Sequence, residues 1–332
     1  MKITFFEATD LERKYMRKLL PDASIDFFDE PLNKDTVKKA KGSGIVSVFI
    51  YSKIDKDVIK SIPKLKLVAT RSTGFDHIDL KECKKKKIIV SNVPSYGENT
   101  VAEHAFALLM SISRNIHKSH IRTFKHDFSN EGLVGFDLKG RTIGVVGGGH
   151  IGMHVANMAK GFGMKVLVYD INHNEFMSEL IGFKYADLDT LLKSSDVITL
   201  HTPYNEHTHH MINMDNIKKI KKGAVFINTA RGGIVDTDAL LYALEKGIIS
   251  NAGLDVIEGE DILIKNPGNG EHDIKDGEIL RILERNQKIL DMDNVIFTPH
   301  NAFNSEEALY RILDQTIDNI KLMEKSKCIV NK

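Results

Sequence analysis

The stretch TIGVVGGGHIGMHVANMAKGFGMKVLVYD, residues 142–170, combines two apolar runs, a glycine cluster and a segment of helical length. Gly147, Gly149 and Gly152 have the spacing G-x-G-x-x-G directly after the first run, and Asp170 ends the second. The order strand, glycine loop, helix, strand and acid is typical of a βαβ unit that binds a dinucleotide. We therefore predict that this stretch organises a Rossmann-type α/β domain.

The glycines of this loop leave its backbone accessible. Without side chains, the backbone N–H groups and the helix N-terminus can approach a pyrophosphate, whose charge the helix dipole favours. Asp170, 18 residues beyond Gly152, can accept hydrogen bonds from an adenosine ribose and would repel a 2′-phosphate. The stretch thus predicts NAD rather than NADP, the alternative being a tight βα turn without a ligand.

Short β-rich runs alternate with segments of helical length along most of the chain. This rhythm is typical of parallel α/β sheets, and it occurs in two series. The first series comprises ITFFEA, IDFFD, IVSVFI, KLVAT and KIIVSNV, and the second comprises TIGVVG, KVLVYD, DVITLH, AVFINT, SNAGLDV and NVIFTPH. We predict one α/β unit from each series.

Helical segments connect and follow these two units. In NTVAEHAFALLMSISRNIHKSHIRTF, Thr100 and Glu103 predict a capping box. One apolar face then predicts a single long helix, through Val101, Ala105, Leu108, Leu109, Ile112 and Ile116. The segment SEEALYRILDQTIDNIKLMEKS predicts an amphipathic helix that could return to the first unit, because no strand follows it. Residues 261–291 predict a long loop and a charged helix.

Size and charge restrict the classes of function. A chain of 332 residues exceeds the usual size of one core, which favours two domains. Lys and Arg total 46 against 45 for Asp and Glu, so bulk charge recruits neither nucleic acid nor a membrane surface. The two cysteines lie far apart and suggest no disulfide framework. With no signal-peptide pattern or long apolar run, we predict a soluble cytoplasmic protein.

Two polar segments have competing interpretations. KECKKKKIIV, residues 81–90, could bind nucleic acid, but a basic helix end leading into a strand is commoner and aromatic residues are absent from it. HTPYNEHTHH, residues 201–210, holds four histidines without a nearby acidic or thiol ligand set. We therefore predict a loop after the strand DVITL there, and no metal site.

Three polar side chains follow predicted strands, where open α/β sheets bind their ligands. Arg231 in FINTARGGIVD could hold a carboxylate through two hydrogen bonds, and His300 in VIFTPHNAF could exchange a proton near neutral pH. Glu260 in GLDVIEGE could orient that histidine and favour its protonated form. Each alone could be an ordinary surface residue, but their shared placement behind a dinucleotide loop favours a catalytic group.

Seven motifs together resemble the D-isomer-specific 2-hydroxyacid dehydrogenases, and among them the D-lactate dehydrogenases. The similarity spans nearly the whole chain, through RSTGFDHIDL, SNVPSYGENTVAEHAFALLMSISR, GRTIGVVGGGHIG, SDVITLHTPYNEHTHHMIN, FINTARGGIVD, AGLDVIEGE and TPHNAF. It implies two Rossmann- or flavodoxin-like parallel-sheet domains with a cleft between them. The substrate domain would be discontinuous, residues 1–100 and 299–332, with the NAD-binding domain at 101–298. The resemblance also implies a homodimer formed through the long inter-domain helix, the alternative being a higher homo-oligomer.

The resemblance further implies a role for individual residues. Arg231, Glu260 and His300 would form the catalytic group of an NAD-dependent oxidoreductase, exchanging hydride between NADH and pyruvate or a similar small 2-keto acid. Implied substrate contacts are Thr73, Gly74, Tyr96, Arg231, His300 and Phe303. Implied coenzyme contacts are Gly147, Gly149, His150, Ile151, Gly152, Asp170, Thr202, Pro203, Thr208, Thr229, Ala230, Arg231 and Asp255.

The substrate and the class of function have alternatives. Phe303, three residues after His300, resembles the lactate-type enzymes, whereas phosphoglycerate and glyoxylate reductase relatives usually carry small residues there. A hydroxyisocaproate-type enzyme with a bulkier 2-keto acid, or a hydroxypyruvate or glyoxylate reductase, would differ mainly in pocket volume. An NAD-sensing corepressor-like module is the alternative outside catalysis, although Arg231, Glu260 and His300 are all in place.

Overall fold

The polypeptide forms two α/β units, and the structure, a computed structural model, describes residues 1–265 and 277–325. The first unit comprises Met1–Tyr96 and Asn304–Lys332, and the second comprises Gly97–Phe303. Each unit contains its own parallel sheet, which confirms the predicted fold class of two parallel-sheet α/β domains. The assignment of substrate binding to one unit and NAD binding to the other, with the boundaries given above, remains a prediction at this point.

The sheet of the first unit has five parallel strands in the order β2-β1-β3-β4-β5. They are β1 (Lys2–Phe5), β2 (Ser24–Phe27), β3 (Ile45–Val48), β4 (Leu67–Thr70) and β5 (Ile89–Ser91), with helices α1 (Asp10–Leu19), α2 (Lys56–Ser61) and α3 (Leu80–Lys85). Every residue of β3 and β4 is buried, as expected for central strands of a parallel sheet. All five predicted strands are present.

The sheet of the second unit has seven parallel strands in the order β12-β11-β10-β9-β6-β7-β8. The strands are β6 (Thr142–Val146), β7 (Lys165–Tyr169), β8 (Lys184–Tyr185), β9 (Val197–Leu200), β10 (Ala224–Asn228), β11 (Ile249–Leu254) and β12 (Val295–Phe297). The six predicted strands are present, and only the two-residue β8 was missed. The strand order reverses between β6 and β9, and such a switch point is where α/β sheets bind ligands.

Eight α-helices within the described part of this unit precede or connect its strands. They are α4 (Glu98–Ser113), α5 (Ile116–Phe124), α6 (His150–Gly161), α7 (Glu175–Ile181), α8 (Leu188–Ser194), α9 (Thr237–Glu245), α10 (Glu260–Lys265) and α11 (Gly277–Leu290). For residues 261–291, predicted as a long loop and a charged helix, α11 provides the predicted helix, and α10 is a helix where the loop was predicted. The motif NPGNGEHD, residues 266–273, lies outside the described residues.

The start of α4 differs from the prediction. The helix begins at Glu98, and Gly97 occupies the N-cap without a side-chain cap. Thr100 lies inside the first turn, so the predicted Thr100–Glu103 capping box is wrong. Glu103 instead accepts a hydrogen bond from the Asn99 side chain, with 3.0 Å between Nδ2 and Oε1. Gly97, with φ −150° and ψ 31°, is the last non-helical residue before α4.

The predicted single long helix is also wrong, because α4 and α5 are separate. Asn115 has a left-handed backbone with φ 50°, which ends α4 and redirects the chain. Leu108, Leu109 and Ile112 are buried as predicted, but Ile116, at the start of α5, is 56% exposed. The helical periodicity therefore holds up to the break and fails beyond it.

The C-terminal helix α12 (Glu306–Lys325) packs on the first sheet. Leu313, Ile317 and Ile320 are buried in one cluster with Ile3 and Phe5 of β1. Burying side chains of this size contributes about 1.5 to 3 kcal/mol each. This packing makes α12 part of the core of the first unit.

Candidate active site

The glycine loop between β6 and α6 uses its three motif glycines differently. Gly147 has φ 104°, and a side chain there would come within 2.7 Å of the His201 carbonyl carbon. A methyl group at Gly152 would overlap the Gly147 carbonyl oxygen. A methyl group at Gly149 would meet no atom within 4 Å. The protein itself requires the first and third glycines, while the second leaves open space at the N-terminus of α6.

Asp170, directly after β7, is tied to this loop. Its Oδ2 accepts a hydrogen bond from the Gly148 N–H at 2.6 Å, and its Oδ1 accepts one from the Asn172 N–H at 2.8 Å. Two backbone donors therefore fix the orientation of the carboxylate beside the glycine loop. An acid at the end of the second strand, beside the glycine loop, fits the ribose-binding position of a dinucleotide site.

Two buried hydroxyl groups follow the neighbouring strands β9 and β10. The Oγ1 atoms of Thr202 and Thr229 have no hydrogen-bond partner among the described residues. Buried polar groups are normally hydrogen-bonded, so an unpartnered pair beside a switch point fits a polar ligand. Together with the open space at Gly149, they fit a dinucleotide that follows the carboxyl edge of the sheet.

Thr208, predicted as a coenzyme contact, has its hydroxyl group engaged within the loop. Its Oγ1 donates to the Pro203 carbonyl oxygen at 2.6 Å and accepts from the Asn205 N–H at 2.8 Å. These bonds give residues 203–208 a defined turn. Pro203 and Thr208 thus shape the loop beside Thr202, and any contact of theirs with a coenzyme remains a proposal.

The ring of His300 is held by Glu260. Nδ1 of His300 lies 2.8 Å from Oε1 of Glu260, and Oε2 of the glutamate accepts from the Ile257 N–H at 3.3 Å. His300 has a left-handed backbone with φ 51°, which is uncommon for a residue with a side chain and marks a turn that its surroundings must impose. The pair has the geometry of a proton-transfer group with an orienting carboxylate.

Asp255 holds the turn that carries His300. The fully buried carboxylate accepts from the backbone N–H groups of Asn301 and Ala302, both at 2.8 Å, and from the Thr298 hydroxyl. The His300 N–H also donates to the Asp255 carbonyl oxygen at 2.9 Å. Asp255, predicted as a coenzyme contact, therefore has a structural task that sequence reasoning did not assign.

His104 on α4 joins the same group and was not predicted. Its Nε2 lies 3.0 Å from the Thr298 hydroxyl and 3.5 Å from Oδ1 of Asp255. The motif AEHAFALLM placed a polar residue on a mostly apolar helix, which was the available signal. Its partner lies 194 positions away, so only the fold shows the contact.

Arg231 begins the short 3-10 turn Gly232–Ile234 after β10. Its Nη1 donates to the Ala230 carbonyl oxygen at 2.7 Å, and its own carbonyl oxygen accepts from the Asn228 side chain at 3.1 Å. A methyl group at Gly232 would overlap the backbone of Ile257. The Arg231 turn therefore packs directly on the loop that leads to Glu260.

The three predicted catalytic residues follow three adjacent strands. Arg231 follows β10, Glu260 follows β11 and His300 follows β12, and these strands are neighbours in the sheet. Parallel strands end at one edge, so the fold places all three at the same edge of the second unit. Phe303 lies in this unit as well, whereas Thr73, Gly74 and Tyr96 lie in the first unit.

In the first unit, the segment after β4 is anchored by side chains. The Ser72 hydroxyl donates to the Gly74 carbonyl oxygen at 2.7 Å, and the Thr73 hydroxyl donates to the Val93 carbonyl oxygen at 3.0 Å. Arg71 is fully buried, with its Nε 2.8 Å from a carboxylate oxygen of Glu12. The implied substrate segment thus has a fixed backbone.

His201, the first residue of the histidine-rich loop, has an unusually low pKa. Burial lowers the pKa of His201 to about 3, and its Nε2 lies 2.8 Å from the Thr199 hydroxyl. His201 is therefore neutral throughout the physiological pH range. No group of three or more His, Cys, Asp or Glu side chains within residues 1–265 and 277–325 is placed to hold a metal ion.

Comparisons with known proteins give consistent matches. The profile of the D-isomer specific 2-hydroxyacid dehydrogenase NAD binding domain matches residues 106–302. The crystal structure of a D-lactate dehydrogenase from Aquifex aeolicus, complexed with NAD and lactic acid, superimposes with a TM-score of 0.87 at 40% identity, covering 97% of this chain and 95% of that one. This match includes both units.

Two relatives show how names vary among the matches. A D-lactate dehydrogenase of Escherichia coli (strain K12) is 34% identical, over 100% of this chain and 99% of its own length. A glyoxylate reductase of Korarchaeum cryptofilum is 33% identical, over 96% of this chain and 92% of its own length. Overall similarity at this level identifies the common chemistry but does not identify the substrate, which has to be inferred from the residues of the site.

Proposed function

The chain belongs to the D-isomer specific 2-hydroxyacid dehydrogenases, and we propose that within this family of NAD-dependent oxidoreductases it is a D-lactate dehydrogenase. The reaction would be the reversible conversion of pyruvate, or a similar small 2-keto acid, to the D-2-hydroxy acid. The observation that carries the dehydrogenase chemistry is the 2.8 Å contact between His300 and Glu260, at the strand edge that also carries Arg231. Phe303 supports a lactate-type substrate.

Residues of the second unit have separate roles in the reduction of the keto acid. NADH, when bound, supplies the hydride that the keto carbon accepts. Arg231 binds the substrate carboxylate, because a guanidinium pairs with it through two parallel hydrogen bonds. His300 delivers a proton from its ring to the carbonyl oxygen as negative charge develops there, and Glu260 holds the ring in place through Nδ1. In the opposite direction, His300 accepts the proton from the hydroxyl group.

Contacts with the remainder of the substrate and with NAD are proposals too. Thr73 and Gly74 are assigned to the substrate carboxylate, and Tyr96 and Phe303 to the substrate side chain. Gly147, Gly149, His150, Ile151 and Gly152 are assigned to the pyrophosphate, and Asp170 to the ribose. Thr202, Pro203 and Thr208, in the loop after β9, are assigned to the coenzyme, and Thr229, Ala230 and Asp255 to the region near its nicotinamide.

A panel of 2-keto acids assayed with NADH tests this function. We expect the highest kcat/KM with pyruvate, compared with 4-methyl-2-oxopentanoate, hydroxypyruvate and glyoxylate, and we expect D-lactate as the product. A higher kcat/KM with 4-methyl-2-oxopentanoate would assign the hydroxyisocaproate type, and one with glyoxylate or hydroxypyruvate a reductase. Binding of NADH without turnover of any keto acid would favour an NAD-sensing module.

Replacing Asp170 with alanine is expected to reduce the preference for NADH over NADPH. The variant loses the carboxylate that would bind the ribose hydroxyls and repel a 2′-phosphate, so the ratio of the two kcat/KM values should fall at least about tenfold. Initial rates with each coenzyme at saturating pyruvate concentration measure it. Asp215→Ala removes an exposed carboxylate of the same unit and serves as the matched control. An unchanged ratio in Asp170→Ala would remove Asp170 from the ribose site.

We also propose a homodimer, formed through α5 and the segment after it. Large apolar side chains there are unusually exposed, with Phe124 and Phe128 at 80% and Val134 at 92%. All three lie within eleven residues of the chain, and exposed apolar patches mark interaction surfaces. Light scattering should give about twice the 37.3 kDa chain mass, and the double variant Phe124→Ser, Phe128→Ser should shift it to one chain. A wild-type monomer would contradict the proposal.

The cellular location that we propose is the cytoplasm. Cys83 is a buried free thiol, which fits a reducing compartment. Burial raises its pKa to about 11, so the thiol stays protonated and unreactive. Within the described residues, no helix is both long and apolar enough to cross a membrane. Cell fractionation with an activity assay would test the location.

A further inference from the structure

A second carboxylate lies close to Glu260 along the chain and has different partners. Glu258 contacts His210, with 2.7 Å between Oε1 and Nε2, and Arg285 of α11, with 3.3 Å between Oε2 and Nη2. The Thr237 hydroxyl lies 3.4 Å from the same Oε2. We name these four residues the Glu258 cluster. It joins side chains from four separate segments of the second unit.

The backbone of Glu258 is fixed as closely as its side chain. The Asn286 side-chain amide donates to the Glu258 carbonyl oxygen at 2.9 Å. A methyl group at Gly232 would overlap the Glu258 backbone nitrogen, and one at Gly259 would come within 2.6 Å of Ile282. The loop that leads to Glu260 is therefore enclosed between the Arg231 turn and α11.

His210 connects the cluster to the Arg231 turn. Its backbone N–H donates to the Gly233 carbonyl oxygen at 2.9 Å, and two residues later the Ile212 N–H donates to the Ile234 carbonyl oxygen at 3.1 Å. His210 has a left-handed backbone with φ 48°, an uncommon conformation for a residue with a side chain. A movement of His210 would therefore displace the turn that begins at Arg231.

Burial makes these contacts stronger than surface ion pairs. The Arg285 side chain is 12% exposed and that of Glu258 28% exposed, and charge-assisted hydrogen bonds strengthen where water is partly excluded. The buried Nε of Arg285 has no partner among the described residues. The second carboxylate near Arg285 is that of Asp238. Its Oδ2 lies 3.6 Å from Nη1 of Arg285 and 3.4 Å from Nη2 of Arg281.

We propose that Glu258 is a positioning residue of the reaction, joining His210 and Arg285 so that the Arg231 turn and the Glu260 loop keep one relative position. The inference rests on the proposed function, which assigns substrate binding to Arg231 and proton transfer to His300 with Glu260. Catalytic groups must be placed to a fraction of an ångström, and a displacement of about 1 Å can cost about a hundredfold in rate. Glu258 acts through its neighbours and does not touch the substrate.

The test compares Glu258→Ala with Asp238→Ala, which removes the other carboxylate at Arg285 and leaves the Glu260 loop intact. For Glu258→Ala we expect a ten- to hundredfold lower kcat/KM for pyruvate and about a tenfold higher Kd for oxamate, an isostere of pyruvate, in the NADH complex. The Kd of NADH alone, measured by fluorescence, should stay within about twofold. Asp238→Ala should change Tm without changing the Kd of oxamate.

Several outcomes would overturn the proposal. A Glu258→Ala variant with the wild-type Kd for oxamate and kcat/KM would do so, as would equal effects of the two variants. If Glu258→Ala does not fold, His210→Ala replaces it, since it removes the contact between His210 and Glu258 from the other side. An unchanged Kd for oxamate in that variant overturns the proposal as well. The two failures can be distinguished. If the wild-type protein reduces no 2-keto acid, the proposed function is refuted; if it does and only the variants behave like the wild-type protein, the role of Glu258 is refuted.

Discussion

Replacing His300 with glutamine is expected to lower turnover of pyruvate with NADH by about 100- to 10,000-fold, the usual contribution of a positioned general acid. Glutamine keeps a polar side chain of similar reach but has no proton to exchange near neutral pH. The loss corresponds to about 3 to 5 kcal/mol of activation free energy. His201 cannot take over, because its lowered pKa of about 3 keeps it neutral.

Two measurements separate loss of chemistry from loss of structure in His300→Gln. The Kd of NADH, from the quenching or enhancement of its fluorescence, should stay within about twofold, since the glycine loop and Asp170 are untouched. His120→Gln, which replaces an exposed histidine on α5, should keep wild-type turnover. Turnover near the wild-type rate in His300→Gln would show that another group donates the proton.

The strands and the three catalytic candidates could be predicted from the same property of parallel α/β sheets. Buried parallel strands are short apolar runs, and polar residues that follow them gather at one edge of the sheet. Arg231, Glu260 and His300 follow such runs, so their shared edge could be predicted without knowing any contact. The exact 2.8 Å contact of Glu260 with His300 was only one of several arrangements consistent with that edge.

Features that depend on tertiary contacts could not be predicted in this way. The start of α4 at Glu98 and its end before Asn115 follow from backbone conformations that periodicity does not encode. His104 and Glu258 both read as ordinary polar residues in the sequence. Their partners, Thr298 and His210, lie 194 and 48 positions away, and only the folded chain brings them together.

Two glycines of the loop, Gly149 and Gly152, should respond differently to an added methyl group, and the difference tests how the loop binds NAD. Gly149→Ala places the methyl in open space with φ −72°, so the free protein should keep its Tm. The same methyl would occupy the space assigned to the pyrophosphate, and we expect the Kd of NADH to rise at least about a hundredfold, a loss of about 2.7 kcal/mol. Calorimetry and NADH fluorescence titration measure the two quantities.

Gly152→Ala should instead damage both properties, because its methyl group would overlap the Gly147 carbonyl oxygen and force the loop to shift. We expect a lower Tm together with weak NADH binding. Gly161→Ala, at the far end of α6 with nothing within 4 Å, is the matched control and should keep both Tm and NADH binding. If Gly149→Ala bound NADH as the wild-type protein does, the open space at the N-terminus of α6 would not hold the pyrophosphate, and the assignment of the loop would have to be abandoned even with Gly147 and Gly152 in their present roles.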